Sequence, residues 1–266
     1  MNKKKAGVLV LIGYLVTMGI VLLISNVVCN LLGENALRTM NMNSSNIIYK
    51  IIIQIPPTVF LLYFIKKYYN WEEIGFSSKN LKNLIWFLPY LIVLIFMICK
   101  FIIELSKNIK IYNSTSYMLI IIIFMGTVMA GFCEEVIFRG IILNSFKNEK
   151  SYITSMIISS LGFSIVHITT IVMGNYLVDA FITVFYSSLL GFAFVGLAMK
   201  MKNIWPLIVF HSLWNFILMV SQALHLEISL AAGICNIMNI FMAIMLWIIV
   251  IIEEKRKVTK KTILDN

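Results

Sequence analysis

Residues 114–139 read STSYMLIIIIFMGTVMAGFCEEVIFR, a long apolar run that ends in two carboxylates and a guanidinium. A helix of about 20 residues crosses the hydrocarbon core of a bilayer, so the run up to Cys133 is long enough to span a membrane. Ionisable groups at membrane depth are costly, and they usually mark a functional site. The stretch therefore predicts a transmembrane helix that carries the polar groups of such a site at its end.

The rest of the chain has the same apolar character. Of its 266 residues 60% are hydrophobic and 13% are charged, and the mean hydropathy is +0.92. Backbone polar groups must be paired in lipid, and the alternating pattern of a membrane barrel is missing from the sequence, so the apolar runs are expected to be helices. We predict an all-α integral membrane protein, a polytopic bundle of about eight transmembrane helices. The predicted spans are roughly 7–29, 46–65, 84–105, 114–133, 152–173, 177–199, 203–222 and 229–252.

The polar side chains that suggest chemistry are concentrated in the second half of the chain. We therefore expect the active site between the helices of that half. The predicted division is a transmembrane scaffold of about three helices at 1–113, a catalytic core at 114–222, and a last transmembrane helix with a basic cytoplasmic tail at 223–266.

The net charge of +10 has two possible origins, nucleic-acid binding and membrane topology. With eight spans and a cytoplasmic N-terminus, sixteen Lys and Arg fall in cytoplasmic segments and three in outer segments. This bias is typical of the positive-inside rule, and it predicts a multi-pass cell-membrane protein with both termini in the cytoplasm. The lipid bilayer is then the partner of the basic residues, and nucleic acid is not expected as a partner because no compact basic domain is present.

The two adjacent glutamates after the apolar run are expected to have different roles. Glu135 and Arg139 are four residues apart, so they share a helix face and can form an ion pair. Glu134 is rotated by about 100° from Glu135 at 3.6 residues per turn. It therefore faces elsewhere and is the candidate general base, whereas the Glu135–Arg139 pair is expected to be structural.

Two further pairs repeat the spacing of four residues. Phe163 precedes His167 by one turn, and an aromatic ring in that position can wall and orient an imidazole. His211 precedes Asn215 in the same way, so an imidazole and an amide can point at one oxygen. Two such donors suit the oxyanion that forms when a carbonyl becomes tetrahedral. Each pair has a structural interpretation as well, since histidines in membranes often form only interhelical hydrogen bonds.

The three pairs together resemble the CPBP family of intramembrane proteases, also called the Abi or CaaX-protease-and-bacteriocin-processing family. That family includes the type II CaaX prenyl endopeptidase and proteins similar to lysostaphin resistance protein A. Its motifs E-E-x-x-x-R, F-x-x-x-H and H-x-x-x-N/D are matched in order and spacing. They read here EEVIFR at 134–139, FSIVH at 163–167 and HSLWN at 211–215. The resemblance covers roughly residues 115–220.

The resemblance implies hydrolysis of peptide bonds within the membrane. It implies that Glu134 and His167 activate a water, that His211 and Asn215 stabilise the oxyanion, and that Glu135, Arg139 and Phe163 support them. The substrate would be a peptide or a membrane-associated protein. A composition rich in Ile, Lys and Asn indicates a bacterial host, which favours peptide or bacteriocin processing over maturation of prenylated proteins.

A metal cofactor is an open question at this point. Glu134, His167 and His211 form a possible set of zinc ligands with a water in the fourth position. The motif H-E-x-x-H does not occur in the sequence, and the same three groups suffice to activate water without metal. We therefore expect no cofactor.

Two other functions compete with proteolysis. The first is a non-enzymatic bacteriocin-immunity or partner-binding protein, since a motif can outlast its activity. The second is an ion-coupled transporter, because carboxylates and histidines in membranes also relay protons. In that case Asp179 would join the path, although an acid at the start of a helix is also explained by the helix dipole.

Overall fold

The computed structural model describes residues 3–32, 54–77, 81–107, 109, 111–146, 152–168 and 177–265. Within these ranges the chain forms helices joined by turns, and no strand occurs. The all-α class predicted from the sequence is confirmed. The elements are α1 (Lys3–Leu32), α2 (Ile55–Tyr68), a 3₁₀ helix (Leu81–Phe87), α3 (Leu88–Lys107), α4 (Ser114–Glu135), a π-helix (Val136–Ile142), α5 (Leu143–Phe146), α6 (Tyr152–Val166), α7 (Leu177–Met201), α8 (Trp205–Leu224) and α9 (Ser229–Asp265).

In the described part of the chain, six helical stretches are long and apolar enough to cross a membrane. Each overlaps one of the eight predicted spans. The other two predictions, 46–65 and 152–173, coincide with the shorter helices α2 and α6 and extend into residues outside the described ranges. The protein is a polytopic membrane protein, and eight is an approximate count of its spans. The six stretches are Lys3–Ile24, Lys82–Lys107, Ser114–Phe146, Leu177–Met201, Trp205–Leu224 and Ser229–Lys257.

Large apolar side chains point outward along these helices. Ile121 of α4, Phe181 of α7 and Ile237 of α9 are 61%, 72% and 70% exposed. Apolar exposure on this scale is unfavourable in water and is expected where side chains meet lipid. The charged residues Glu135 and Arg139 are buried instead, so the polarity of the bundle is inverted relative to a water-soluble protein.

The helix that begins at Ser114 changes its geometry where the motif residues start. Its first turn is capped by Asn113, whose side chain accepts a hydrogen bond from the Ser116 N–H at 3.0 Å. After Glu135 the backbone continues as a π-helix whose seven residues are all buried. The carbonyl of Phe138 in this segment also accepts a hydrogen bond from Ser159 Oγ of α6 at 2.7 Å. Short π segments are rare and are often found at functional sites.

Helix α4 packs against α8, and Gly131 and Ser212 lie at a close contact between them. Gly131 lies one turn before Glu135, and Ser212 follows His211 directly. A Cβ atom on Gly131 would lie 3.0 Å from the backbone nitrogen of Ser212 and would overlap the Ser212 hydroxyl. The absence of a side chain on Gly131 therefore permits the close approach that brings the two motifs together.

The remaining long helices enclose this pair. Helix α7 packs against both α6 and α9, and α3 packs against α8 and α9. Gly196 of α7 sits against Leu246 of α9, where an added Cβ atom would lie 2.7 Å from the Leu246 Cβ. The indole Nε1–H of Trp247 donates to the Phe192 carbonyl at 2.8 Å. These contacts hold α9 against the second half of the bundle.

We predict that Gly131→Ala destabilises the protein by about 1–3 kcal/mol, the usual cost of overpacking a close contact. The added methyl group meets the backbone of Ser212, which cannot move without shifting α8. Thermal unfolding in detergent micelles measures the effect. Gly233→Ala on α9 is the matched control, because no atom lies within 4 Å of its added Cβ atom. Equal melting temperatures for the two variants would contradict the prediction.

Candidate active site

The motif residues come from three separate parts of the bundle. Glu134 and Glu135 form the C-terminal end of α4, and Arg139 lies in the π-helix that follows. Phe163 lies in the last turn of α6, and His167 follows in the turn just beyond it. His211 and Asn215 lie one turn apart on α8. The packing of α4, α6 and α8 therefore decides whether these side chains meet.

A buried chain of ionisable groups joins α4 to α8. Arg139 Nη1 donates to Glu135 Oε1 at 2.9 Å, and both side chains are 0% exposed. The same carboxylate oxygen lies 2.8 Å from His211 Nδ1. The predicted contact between Glu135 and Arg139 is present. Its extension to His211 was not predicted, and it makes Glu135 the link between the two motifs.

The guanidinium of Arg139 also packs against aromatic rings. Its central carbon lies 4.2 Å from the centre of the Phe163 ring and 5.4 Å from that of Phe194. A cation above an aromatic face is stabilised by the ring quadrupole, most strongly where water is excluded. Arg139 Nε and Nη2 donate no hydrogen bond to a described residue, so these rings supply the rest of its surroundings.

The ring of Phe163 packs against both histidines as well as against Arg139. Its ring centre lies 4.9 Å from that of His167 and 5.7 Å from that of His211, both in edge-on geometry. From the sequence, Phe163 was predicted only to wall and orient the His167 imidazole. In the structure one ring packs against Arg139, His167 and His211 at once, so it fixes the relative positions of all three motifs.

Glu134 faces the two imidazoles, away from the Glu135–Arg139 pair. Its Oε2 lies 3.7 Å from His211 Nε2 and 3.9 Å from His167 Nε2. Both distances exceed that of a direct hydrogen bond, and Glu134 Oε2 accepts none from a described residue. The side chain of Glu134 is 15% exposed and that of His167 20%. The three groups thus surround a common point from α4, the turn after α6, and α8.

Each imidazole is oriented through its Nδ1 atom. His167 Nδ1 lies 2.9 Å from the Phe163 carbonyl oxygen, which can only accept a hydrogen bond. His211 Nδ1 has the same relation to the Glu135 carboxylate. A hydrogen bond at one ring nitrogen sets the role of the other. In the neutral rings, both Nε2 atoms therefore present a lone pair toward Glu134.

A cavity of about 270 Å³ adjoins this cluster. His167, His211 and Asn215 line it together, as the sequence interpretation requires. Glu134 is not among the lining residues, but its Oε2 lies 3.7 and 3.9 Å from the Nε2 atoms of His211 and His167, which are. Of the four side chains expected to converge on one pocket, three line the cavity and Glu134 lies next to the two imidazoles.

Helix α9 supplies part of the cavity wall that the sequence interpretation did not foresee. Asn236 and Asn239 line the cavity together with residues of the motif helices. The predicted catalytic core ended at residue 222, before α9 begins, because no motif continues beyond Asn215. The two amides inside an apolar span could have indicated that α9 lines a cavity, since polar side chains in such spans usually face a partner or a cavity. The cavity is also lined by Tyr186, Ser187, Leu190, Trp214, Leu218 and Ala232.

Asp179, the residue that a transporter would add to the path, lies apart from this cluster. It is exposed in the first turn of α7. An acid in this position favours the positive end of the helix dipole. The described contacts around Glu134, His167 and His211 do not include it.

The distances between the ligands of a tetrahedral zinc ion are shorter than those between Glu134 and the imidazoles of His167 and His211. Ligands bonded to a tetrahedral zinc at 2.0–2.1 Å lie about 3.3 Å from one another, whereas Glu134 lies 3.7 and 3.9 Å from the two imidazoles. Across the described ranges, no group of three His, Cys, Asp or Glu is arranged to hold a metal ion. Imidazoles with Nδ1 bound to an acceptor do resemble zinc ligands, but the distances between Glu134 and the two imidazoles are too long for a shared tetrahedral zinc ion.

Fold and site define a polytopic α-helical membrane protein with a carboxylate–imidazole centre between its helices. Residues 116–217 match the family model described as "Rce1-like: Type II CAAX prenyl endopeptidase Rce1-like". These residues, about two fifths of the chain, are therefore a domain of that family, which is a family of membrane proteases. The resemblance inferred from the motifs is confirmed. No curated protein and no solved structure matches the chain.

We predict that Glu135→Gln lowers the free energy of unfolding by roughly 3–5 kcal/mol, because it leaves the Arg139 charge buried without its partner. Thermal unfolding in detergent measures the loss. Glu73→Gln is the matched control: it removes the exposed pair that Glu73 forms with Lys3 at 3.3 Å, and an exposed pair contributes at most about 1 kcal/mol. A Glu135→Gln variant no less stable than Glu73→Gln would show that the buried pair is dispensable.

Proposed function

We propose that this protein is an intramembrane endopeptidase in which Glu134 activates a water for attack on a peptide bond. The observation that carries the proposal is the position of Glu134 Oε2, within 3.9 Å of the Nε2 atoms of both His167 and His211. These three groups come from different helices and meet beside a cavity. Such a carboxylate–imidazole cluster is what general acid–base catalysis of hydrolysis requires.

The number of protons available between Glu134 and the two imidazoles limits the mechanism. Ionised Glu134 and the Nε2 atoms of two neutral imidazoles are all hydrogen-bond acceptors. A water between them has two protons, so one of the three groups must carry a proton of its own for all three contacts to be favourable. We assign that proton to His211, because its Nδ1 already donates to Glu135 and a second negative charge, that of Glu134, lies beside its Nε2.

The first chemical step forms a bond between the water oxygen and the carbonyl carbon of the substrate. Glu134 takes one proton of the water, and Nε2 of His167 accepts a hydrogen bond from the other and so orients the molecule. The carbonyl oxygen becomes an oxyanion. Protonated His211 and the amide of Asn215, one turn apart on α8, donate to it. Loss of a single oxyanion donor lowers kcat by about 10²–10³ in other hydrolases.

The second step breaks the bond between carbon and nitrogen. The oxyanion collapses to a carbonyl, and the leaving amine takes the proton held by Glu134. The products are a carboxylic acid and an amine, and Glu134 returns to its ionised state. No oxidant, reductant or second substrate is consumed.

Glu135, Arg139 and Phe163 act in this proposal as positioning residues. Glu135 holds Nδ1 of His211 and stabilises its charged form, as the buried carboxylate of a serine-protease triad does for its histidine. Arg139 balances the charge of Glu135 at 2.9 Å. The ring of Phe163, packed against Arg139 and both imidazoles, keeps these groups in register.

The substrate is a peptide or a membrane-associated protein, and we place both termini of the enzyme in the cytoplasm of a bacterial cell. The supports are the distribution of Lys and Arg under the positive-inside rule and the composition rich in Ile, Lys and Asn. Residues 114–222, which contain the family match, are proposed as the catalytic core. Peptide or bacteriocin processing is the physiological role that we propose.

Replacement of Glu134 by Gln tests the proposed activity. The amide is nearly isosteric with the carboxylate but cannot take the proton of water, so we expect peptide release to fall by at least about 10²-fold, the lower range for a general base. Comparative peptidomics of membranes from cells with wild type and with Glu134→Gln measures the loss and identifies the cleaved bonds. Identical peptide profiles at equal protein abundance would exclude proteolysis and favour the immunity or partner-binding alternative.

Metal dependence is tested on the purified protein. We expect activity to survive treatment with a chelator, because Glu134 and the two histidines suffice for the proton transfers above. Metal analysis of the same sample should show zinc well below one equivalent. Stoichiometric zinc, with loss of activity on chelation and recovery on zinc addition, would replace the metal-free mechanism.

A further inference from the structure

Two amide side chains of α9 line the same cavity as the motif histidines. Asn236 and Asn239 line the same 270 Å³ volume as His167, His211 and Asn215. They lie outside the family domain at 116–217, and the proposed mechanism does not use them. A substrate bound in this cavity beside the reacting groups would therefore also lie beside these two amides.

The two amides differ in their hydrogen bonding. Asn239 is 2% exposed, and its Oδ1 accepts from the Tyr90 hydroxyl at 2.8 Å. It is therefore held in place by α3. Asn236 is half-buried, and its side chain forms no hydrogen bond with another residue in the part of the chain that the structure describes. An amide in a membrane-spanning helix is costly unless its donors and acceptor are used, so Asn236 has hydrogen-bonding capacity to offer a ligand.

The cavity wall is otherwise uncharged. None of its described lining residues is a Lys, Arg, Asp or Glu, and Leu190, Trp214, Leu218 and Ala232 supply apolar surface. Arg139, the buried cation of the first motif, is paired with Glu135 and packs against two phenylalanine rings. A bound segment with a charged side chain or a terminal carboxylate would find no fixed counter-charge here apart from the histidines.

A side-chain amide carries one acceptor and two donors, which match the N–H and C=O groups of a peptide main chain. A helical substrate cannot use this match, because its main-chain groups are already paired within the helix. A cavity of about 270 Å³ is also at the small end of ligand pockets, which suits a short unfolded stretch. We infer that the cavity binds an uncharged, extended stretch of peptide and that Asn236 hydrogen-bonds to its main chain. This inference rests on the proposed endopeptidase function.

Asn236→Leu tests the inference, because leucine has a similar size and no hydrogen-bonding group. The probe is the best-cleaved member of an internally quenched peptide library with uncharged side chains and blocked termini. We expect KM to rise by about 2- to 10-fold, the range for one hydrogen bond, with kcat nearly unchanged because Asn236 does not touch the reacting atoms. Ile237→Leu is the matched control, since Ile237 is the next residue and is 70% exposed on the outer face.

A set of backbone analogues makes the test specific for a main-chain contact. Each amide of the probe is replaced in turn by an N-methyl amide, which removes the donor, or by a thioamide, which weakens the acceptor. One replacement should raise KM for wild type and for Ile237→Leu but leave KM of Asn236→Leu unaltered, since the contact is already lost there. Asn236→Ala, which creates space without an apolar contact, should repeat this pattern if the leucine variant is poorly folded.

The outcomes separate this inference from the proposed function. If Glu134→Gln is inactive and wild type active, but Asn236→Leu and Asn236→Ala respond to every analogue as wild type does, the inference is wrong and the function stands. A loss confined to kcat, or cleavage restricted to peptides with charged side chains or a free carboxylate, would also overturn it. If Glu134→Gln releases every peptide that wild type releases, both proposals are wrong.

Discussion

The contact between Glu135 and His211 is the interaction on which the site depends. One buried carboxylate oxygen meets Arg139 at 2.9 Å and His211 at 2.8 Å, so a single atom joins α4, the π-helix and α8. Removing Arg139 from such a place would leave the charge of Glu135 uncompensated in a low-dielectric interior. The orientation of the His211 ring, and with it the direction of Nε2 toward Glu134, follows from this contact.

The separation of the two adjacent carboxylates gives each its own electrostatic environment. Glu135 is fully buried and bound to two cationic or polar partners, whereas Glu134 is partly exposed and faces two imidazole nitrogens without a direct hydrogen bond. The helical twist alone turns them in different directions. In this way neighbouring residues of the same type differ in burial and in hydrogen bonding.

Much of this arrangement could be predicted from spacing within single helices. The Glu135–Arg139 contact and the packing of Phe163 on His167 are four-residue relations, and both are present. Contacts between helices could not be predicted, since the spacing of His211 from Glu135 carries no information about their distance. The π-helix was also missed, because its seven residues are buried on every side and show no periodicity that would distinguish it from an α-helix. The motifs end at Asn215, so the sequence pattern gave no reason to place α9 at the cavity.

The position of α9 also has a consequence for biosynthesis. Asn236 and Asn239 follow the three motifs in the chain, yet they form part of the wall of the same cavity. Polypeptides emerge from the N-terminus onward, so this part of the wall is synthesised after Glu134, His167 and His211. A nascent copy therefore has the complete cavity wall only once α9 has been inserted beside α3 and α7.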